Sequence, residues 1–466
     1  MGSSPTFRTT HFYFMPRKKQ LLLINPWICD FTACDFWLRP LGLLYLASII
    51  RKFTRFQVCF LDLLDCSQLP ARFDFQPKVR FDGRTSFYKE EVLKPQVLSH
   101  IPRKFSRYGW PVALAEERLK ILPVPEAVLV TCTMTYWYPG VQMVCELVKK
   151  VFGRVPVILG GIYPTLCPEH AREKSGADMV ISGRGENQIL PALEQICGSG
   201  IIYPEARGWC FPSLDSLPSP AYDLYQDRRV VCFLTSRGCP FDCSYCASRL
   251  LNPRFEQREP EKVVEEILQL KKLGVRHIAF YDDALLINKE NHLKKILERI
   301  ISLGLDFNFH APNGISPGSI DRETAFLMKK AGFVSIFLSL ETADPEWLEK
   351  TGPKVDPADL EKALNLLEEA GYRRQEISVY ILVGHPLQTA AQVIESIRLV
   401  KKLGARPRLA YFSPVPGTRD WKKLVDSGKL RPDADPLLHN KLVFAYSWGQ
   451  ITPEDLEKIK IECRQG

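Results

Sequence analysis

Short apolar runs alternate with helix-period segments through the first 200 residues of the chain. Five apolar runs predict strands, at residues 21–25, 58–62, 127–131, 155–160 and 179–183. Helical segments are predicted to begin near residues 40, 139, 165 and 186. This alternation is typical of a parallel sheet covered by helices, as in a Rossmann-like α/β domain.

Two stretches interrupt or end this pattern. Residues 70–123 lack clear periodicity and predict an insertion that contains one helix, over 113–122. Residues 211–220 are rich in Pro and Ser, which indicates a linker. We therefore expect a front domain over 1–200 and a linker over 201–229.

The alternation of strands and helices restarts at residue 230. Predicted strands lie at 230–234, 277–281, 306–310, 335–339, 378–383 and 409–412, and predicted helices at 260–273, 289–303, 321–331, 357–370 and 390–403. Six such units over 230–420 predict an open, partial (β/α)6 barrel of the TIM type, in which functional groups follow the carboxyl ends of the strands. The segment 421–466 is predicted to be small and helical, with a helix at 453–463 that Thr452 caps.

Composition narrows the class of protein. The longest apolar runs, such as 41–50, are shorter than the ~18 residues of a membrane span, and no signal-peptide pattern opens the sequence. Most of the 14 cysteines lie in apolar strand or helix patterns, where a thiol packs as a small hydrophobic group. We expect a cytoplasmic protein without a membrane span, and its net charge of +9 only weakly favours anionic partners.

One cluster of cysteines has the spacing of metal ligands. Cys239, Cys243 and Cys246 form a C-x3-C-x2-C motif directly after the first barrel strand. Three thiolates on one loop can hold three corners of a [4Fe-4S] cluster and leave one iron without a protein ligand. Structural zinc is the alternative, but zinc usually takes four ligands and no fourth Cys or His stands at a matching spacing.

This loop, with Tyr245 before its last cysteine, resembles that of the radical S-adenosylmethionine (SAM) enzymes, and the resemblance covers about 230–420. It implies that the open iron binds the amino and carboxylate groups of SAM, which the reduced cluster cleaves to a 5′-deoxyadenosyl radical. It also implies that Asp282 receives the SAM amino group and that Glu341 binds the ribose. The full set of residues expected to position SAM is Phe241, Tyr245, Asp282, Asn313, Ser339, Glu341 and His385.

Some residues of the barrel have a second interpretation. Gly384 and Pro386, which flank His385, could form a tight turn and nothing more. His310 is expected at a strand end, where it would face the cavity, whereas His277 is expected to be structural.

Loops at the carboxyl ends of the front strands form a second candidate site, since open parallel sheets bind ligands there. No G-x-G-x-x-G follows the first strand, which argues against a dinucleotide. With the barrel behind it, this series resembles the cobalamin-binding domain of cobalamin-dependent radical SAM enzymes. The residues implied to bind cobalamin are Asn25, Pro40, Leu41, Gly42, Thr131, Thr133, Gly160, Gly161, Tyr163, Pro164, Gly183, Gly185 and Glu186.

One departure from many cobalamin domains is the lack of a D-x-H-x-x-G motif. The run after the second strand, at 62–67, contains no histidine that could ligate cobalt. A cobalt without a protein lower ligand suits methyl transfer, because low coordination favours cobalt(I). The same absence leaves open a front domain that no longer binds cobalamin.

Three functions are compatible with these motifs. The main hypothesis is a methyltransferase that acts on an unreactive carbon through methylcobalamin and a 5′-deoxyadenosyl radical. The second is a rearrangement, cyclisation or carbon–carbon coupling with the same cofactors but without methyl transfer. The third is a non-catalytic regulator that binds an iron-sulfur cluster or cobalamin, which the many polar residues at barrel strand ends disfavour.

Partners are less well defined by the sequence. The insertion 70–123 interleaves basic and aromatic residues, which could receive an anionic substrate or a peptide, so the substrate class stays open among small molecules, lipids and peptides. Nucleic acid is disfavoured because no RNA-binding module is appended. Nothing in the chain resembles a second cluster or a flavin site, so an external electron donor such as flavodoxin or ferredoxin is expected.

Overall fold

A computed structural model describes residues 19–352, 356–443 and 450–465. Its strands, in chain order, are β1 (Gln20–Asn25), β2 (Ile28–Asp30), β3 (Gln57–Asp62), β4 (Lys89–Glu91), β5 (Ser106–Tyr108), β6 (Ala127–Cys132), β7 (Val157–Gly161), β8 (Met179–Val180), β9 (Val230–Phe233), β10 (Ser236–Arg237), β11 (Glu256–Gln257), β12 (His277–Phe280), β13 (Asn308–Ile315), β14 (Phe333–Glu341), β15 (Ser378–Val383) and β16 (Arg406–Tyr411).

Helices connect most of these strands. In chain order they are α1 (Leu41–Phe53), α2 (Val112–Ile121), α3 (Tyr138–Phe152), α4 (Ile162–Leu166), α5 (Pro168–Lys174), α6 (Ile189–Cys197), α7 (Ser248–Leu251), α8 (Pro260–Lys272), α9 (Leu293–Ser302), α10 (Arg322–Ala331), α11 (Pro345–Thr351), α12 (Pro357–Glu369), α13 (Ala390–Lys402), α14 (Arg419–Asp426) and α15 (Pro453–Arg464). Thr452 caps α15, as expected, because its side chain accepts a hydrogen bond from the Asp455 backbone N–H.

The front sheet is a five-stranded parallel sheet with the order β3-β1-β6-β7-β8. The side chains of β1 pack alternately into two hydrophobic cores on opposite faces of the sheet. Leu22 and Ile24 lie in one core, and Leu21 and Leu23 lie in the other. A strand that is buried on both faces belongs in the middle of a sheet covered by helices. The α/β front domain expected from the sequence is confirmed.

The second half of the chain forms a six-stranded sheet in which every neighbouring pair is parallel. Its order is β9-β12-β13-β14-β15-β16, so each strand lies beside the next strand of this barrel series. The end strands β9 and β16 are not paired with each other, and the barrel is therefore open. This arrangement confirms the partial TIM-type barrel.

A third sheet was not expected from the sequence. The short strands β2, β5 and β4 pair antiparallel, with Cys29 opposite Arg107 and Arg107 opposite Glu90. Two of these strands come from the insertion. Runs of three residues carry too little periodicity to be recognised as strands.

The expected position of His310 is wrong. The third barrel strand continues to Ile315, so His310 lies near its amino end and not at its carboxyl end. Pro312 lies within the strand, and an irregular register between Ala311 and Ile315 accommodates it. His310 is fully buried and stacks on Trp37 of the front domain, with ring centroids 4.6 Å apart.

The insertion is not a separate basic arm. Residues around Gly83 pack against the barrel, and Trp37 Nε1 donates a hydrogen bond to the Asp82 carbonyl oxygen (2.8 Å). Several of its basic side chains form ion pairs with carboxylates, and these pairs are Arg72–Glu117, Arg84–Asp82, Lys104–Glu91 and Arg107–Glu90. The arrangement weakens the idea that the insertion is a general receptor for anions.

The C-terminal segment crosses from the barrel to the front domain. Tyr138 donates a hydrogen bond from its hydroxyl to Asp435 (3.1 Å), and Asn440 Nδ2 donates one to Asp30 (2.9 Å). Between these contacts, His439 Nδ1 lies 3.1 Å from Thr135 Oγ1. Burial lowers the pKa of His439 to about 3, so the imidazole is neutral in the folded protein.

Stability is expected to fall in mild acid because His439 is neutral when folded. Below pH ~6.5 the unfolded chain binds a proton at His439 and the folded chain does not. The contribution of the neutral His439 to the free energy of unfolding is therefore fully present above that pH and is lost as the pH falls. The replacement His439→Gln removes this proton-binding site from the unfolded chain. Between pH ~6 and ~4, the plot of unfolding free energy against pH should therefore become shallower by about 1.4 kcal/mol per pH unit. Denaturant unfolding at several pH values measures the slope.

The matched control is His100→Gln, which changes an exposed histidine. The slope should change more in His439→Gln than in this control. An equal slope for His439→Gln and the wild type would contradict a neutral, buried His439.

Candidate functional site

The three motif cysteines lie on the loop that follows β9. Cys239 and Cys243 are half-buried and Cys246 is exposed, and none of the 14 cysteines forms a disulfide. Gly238, directly before the first of them, has φ +87°, and a Cβ at this position would lie 2.7 Å from the Arg254 carbonyl oxygen. The loop therefore needs glycine here to pass close to residues 252–254.

Two acidic residues at the end of the neighbouring strand β12 hold the start of this loop. Asp282 accepts hydrogen bonds from the hydroxyls of Thr235 and Ser236, both at 2.6 Å, and from the Thr235 backbone N–H. Asp283 accepts one from the Gly238 backbone N–H (3.1 Å). Burial raises the pKa of Asp282 to about 6, although these hydrogen bonds oppose the shift.

A third carboxylate holds the middle of the loop. Asp420, on α14, accepts a hydrogen bond from the Ser244 hydroxyl (2.6 Å). Burial alone would raise the pKa of Asp420, but hydrogen bonds from His385 and Ser244 outweigh it and keep the pKa at about 2. Asp420 is therefore ionised at neutral pH.

The number of the thiols and their position on one loop suit an iron-sulfur cluster. Within the described ranges, no three His, Cys, Asp or Glu side chains converge as the ligands of a single metal ion would. A cubane cluster does not require such convergence, because each thiolate binds a different iron atom. Three cysteines on one loop, two of them half-buried, thus suit a [4Fe-4S] cluster with one open iron.

Three of the residues expected to position SAM line one pocket beside the loop. Phe241, Asp282 and Asn313 all contribute to its wall. Asn313 Nδ2 donates to the carbonyl oxygens of Tyr281 and Asp282, at 3.0 and 3.2 Å, which fixes this side chain at the strand ends.

Ser339 and Glu341 lie at the carboxyl end of the neighbouring strand β14. Ser339 is buried behind the pocket residue Gly314. A Cβ placed on Gly314 would lie 2.1 Å from the Ser339 hydroxyl oxygen. Glu341 has φ +64° and follows an irregularity in the strand pairing. Backbone strain of this kind in a non-glycine residue is common at binding sites.

Tyr245 and His385 lie on a different side of the loop. The Tyr245 ring stacks on Trp347, with centroids 6.5 Å apart, and the His385 ring meets the same Trp347 edge-on at 5.0 Å. His385 is buried, and its Nε2 lies 3.1 Å from Asp420. The structure therefore places His385 behind the cysteine loop and not in the pocket with Asn313.

The front-domain residues expected to bind cobalamin converge on the carboxyl edge of the front sheet. Asn25 ends β1 and donates to Asp62 at the end of β3 (2.7 Å). Asp62 also accepts a hydrogen bond from the Tyr225 hydroxyl (2.5 Å). Further positions on this edge, or on the helices and turns that begin there, are Pro40, Leu41, Gly42, Thr131, Thr133, Gly160, Gly161, Tyr163, Pro164, Gly183, Gly185 and Glu186.

Two glycines end β7, the first with open space beside it and the second with close neighbours. A Cβ added at Gly160 would meet nothing within 4 Å, and Gly161 has φ +104° with a Cβ position 2.6 Å from the Cys132 carbonyl oxygen. Tyr163 is buried, and its hydroxyl lies 2.7 Å from His170 Nδ1. Open backbone next to buried aromatic side chains is compatible with the broad face of a corrin.

An ion pair brings the two candidate sites together. Glu186, after β8 of the front sheet, lies 2.8 Å from Arg237, two residues before Cys239. Both side chains are only about one-eighth exposed, at 12% and 13%. Sequence reasoning missed Arg237, because no local pattern relates positions 186 and 237.

Comparison with known families agrees with this architecture. Residues 119–192 match the family described as the B12 binding domain, and residues 233–400 match the Radical SAM superfamily. An uncharacterised methyltransferase of Pyrococcus horikoshii is 28% identical over 71% of this chain and 73% of its own length.

Two further likenesses are informative. The anaerobic magnesium-protoporphyrin IX monomethyl ester cyclase of Rubrivivax gelatinosus is 23% identical over 60% of this chain, which spans about half (55%) of that relative. The solved structure of the radical SAM methyltransferase TsrM from Kitasatospora setae has a TM-score of 0.63, at 18% identity, and covers 88% of this chain and 76% of its own. At this identity the likeness concerns the fold.

The order of a B12-binding domain followed by a radical SAM domain defines the class of protein. The chain belongs to the cobalamin-dependent radical SAM enzymes, whose cofactors are a [4Fe-4S] cluster, SAM and cobalamin. In the parts of the chain that the structure describes, no helix combines the length and hydropathy that crossing a membrane requires.

The cysteine loop has no room for a side chain at Gly238, whose Cβ position lies 2.7 Å from the Arg254 carbonyl oxygen. Gly238→Ala should displace the loop, because its Cβ would meet the Arg254 carbonyl oxygen, and should reduce the iron bound after anaerobic reconstitution to at most about half. Gly198→Ala is the matched control, since Gly198 has the same φ of +87° but nothing within 4 Å of its Cβ position. Equal iron contents in the two variants would contradict the tight packing at Gly238.

Proposed function

We propose that the protein is a methyltransferase that transfers a methyl group to an unreactive carbon. The observation that carries the proposal is the contact between Glu186 and Arg237, which makes the carboxyl edge of the front sheet a direct neighbour of the cysteine loop. Methyl transfer through cobalamin to a substrate radical requires both cofactors at one place. The methyltransferase name of the Pyrococcus relative supports the same reaction.

The proposed roles of the residues follow their positions. Cys239, Cys243 and Cys246 would hold the cluster, and Phe241, Asn313, Ser339 and Glu341 would line the SAM site. The front edge, within a domain that we place at 1–200, would seat cobalamin. The barrel, at 230–420, would bind SAM and present the substrate carbon.

Asp282, Tyr245 and His385 have a different proposed role. The Asp282 carboxylate is satisfied by Thr235 and Ser236, so it would support the loop and not receive the amino group of SAM directly. Tyr245 and His385 pack around Trp347 and would support the loop from the other side.

The reaction can be balanced with these cofactors. Two SAM molecules and two electrons convert a C–H bond into a C–CH3 bond, and S-adenosylhomocysteine, methionine and 5′-deoxyadenosine are the other products. The electrons come from an external one-electron donor of the flavodoxin or ferredoxin class. The chain contributes the thiolates, the pocket and the exclusion of bulk water.

A cyclisation without methyl transfer is the second candidate function. It is favoured by the likeness to the magnesium-protoporphyrin ester cyclase, which extends over 60% of this chain. Such a reaction needs the same radical but consumes no methyl group from SAM.

Labelled SAM distinguishes the two functions without knowledge of the substrate. The reconstituted protein, supplied with cobalamin and dithionite, is incubated with SAM that carries a trideuterated methyl group. A methyltransferase should form 5′-deoxyadenosine and S-adenosylhomocysteine, with the label recovered on the extracted cobalamin. Mass spectrometry of the nucleosides and the corrin measures all three.

The control for this experiment is Cys243→Ala, which should abolish 5′-deoxyadenosine and leave cobalamin bound. Formation of 5′-deoxyadenosine without any labelled corrin or S-adenosylhomocysteine would favour cyclisation. Absence of all three products would contradict both enzymatic functions.

A further inference from the structure

A buried group of three polar side chains lies behind the cysteine loop. Ser244 is the residue between Cys243 and Tyr245, His385 follows the fifth barrel strand β15, and Asp420 is on α14. All three are nearly inaccessible, with 1%, 2% and 2% of their surface exposed. They come from three distant parts of the sequence and meet at one carboxylate.

The fold occupies every hydrogen-bonding group of Ser244. Its backbone N–H donates to the Thr351 carbonyl oxygen (2.8 Å), and its carbonyl oxygen accepts from the Asp420 backbone N–H (3.1 Å). Its hydroxyl donates to Asp420 Oδ2 at 2.6 Å. The short segment between Cys243 and Cys246 cannot turn without breaking these buried hydrogen bonds.

The Asp420 carboxylate is itself fixed. Oδ2 also lies 3.1 Å from His385 Nε2, and Oδ1 accepts a hydrogen bond from Lys423 Nζ (3.1 Å). Asp420 lies in the first turn of α14, where a negative charge is favourable. Two buried side chains, Ser244 and His385, thus hold Oδ2 of the carboxylate, and the exposed Lys423 only contacts Oδ1.

Two other carboxylates anchor the opposite end of the loop. Asp282 and Asp283 hold Thr235, Ser236 and Gly238, which precede Cys239. Those hydrogen bonds all precede the first cysteine, whereas the hydrogen bond between Asp420 and Ser244 lies between the second and the third. Asp420 therefore carries a task that the strand-end carboxylates do not.

We propose that Asp420 is a positioning residue that sets the separation of Cys243 and Cys246 through its hydrogen bonds to Ser244. The inference rests on the proposed function, because it assumes that these cysteines bind the cluster. It gives α14, at the boundary between the barrel and the C-terminal segment, a direct role in cluster retention. Ser244 and Asp420 act as one unit, while Lys423 only touches the outer oxygen of the carboxylate.

The test compares iron release from the full-length protein after anaerobic reconstitution with iron and sulfide. Ser244→Ala and Asp420→Ala should each release iron to a ferrous chelator about tenfold faster than the wild type, because each loses the same buried hydrogen bond. The double variant should release iron no faster than Asp420→Ala alone. Asp420→Asn keeps an acceptor for Ser244 and should recover much of the wild-type rate.

Lys423→Ala is the matched control, since the lysine is 59% exposed and an exposed ion pair contributes little. It should behave as the wild type. The EPR spectrum of the reduced cluster gives a second readout, and it should change in Ser244→Ala and Asp420→Ala but not in Lys423→Ala. Ser244→Ala removes one hydroxyl group and should fold even where Asp420→Ala does not.

Two outcomes would overturn the inference while leaving the proposed function intact. One is wild-type iron release and an unchanged spectrum in Ser244→Ala, and the other is fully additive effects in the double variant. Failure of the wild type itself to bind iron would instead overturn the proposed function, and this inference with it.

Discussion

Three carboxylates hold one cysteine loop through hydrogen bonds to its side chains and backbone, and the arrangement of the candidate site depends on them. Asp282 and Asp283 bind the loop before its first cysteine, and Asp420 binds it between the second and third. Hydrogen bonds to charged acceptors are about twice as strong as neutral ones, and buried acceptors are costly to leave unpaired. The start and the middle of the loop are thus fixed by hydrogen bonds to carboxylates.

The front domain is positioned by the same end of the barrel. Glu186 pairs with Arg237 beside the loop, and the C-terminal segment returns to the front sheet through Asp435 and Asn440. A single chain segment therefore connects the cysteine loop, through Asp420, with the domain that matches the B12-binding family. A fixed spacing of this kind would favour the proposed methyl transfer, because a small misplacement of reacting groups costs much of the rate.

Much of this architecture could be predicted from local sequence. The apolar runs located both parallel sheets, and the cysteine spacing located the loop. Contacts between distant residues could not be predicted, as with Ser244 and Asp420, which are 176 positions apart. His310 shows a different limit, since its strand continues past Pro312 through a register irregularity that the local sequence does not reveal. Burial of His385 behind the loop likewise depends on packing by Trp347 and Phe412.

The central claim is that one chain holds an iron-sulfur cluster and cobalamin side by side. The most direct test is iron, sulfide and cobalt analysis of protein purified anaerobically with cobalamin, for the wild type and the variant with Cys239, Cys243 and Cys246 all replaced by Ala. The account predicts about four irons and one cobalt per wild-type chain, with loss of the iron alone in the variant. Iron without cobalt in the wild type, or iron retained by the variant, would contradict it.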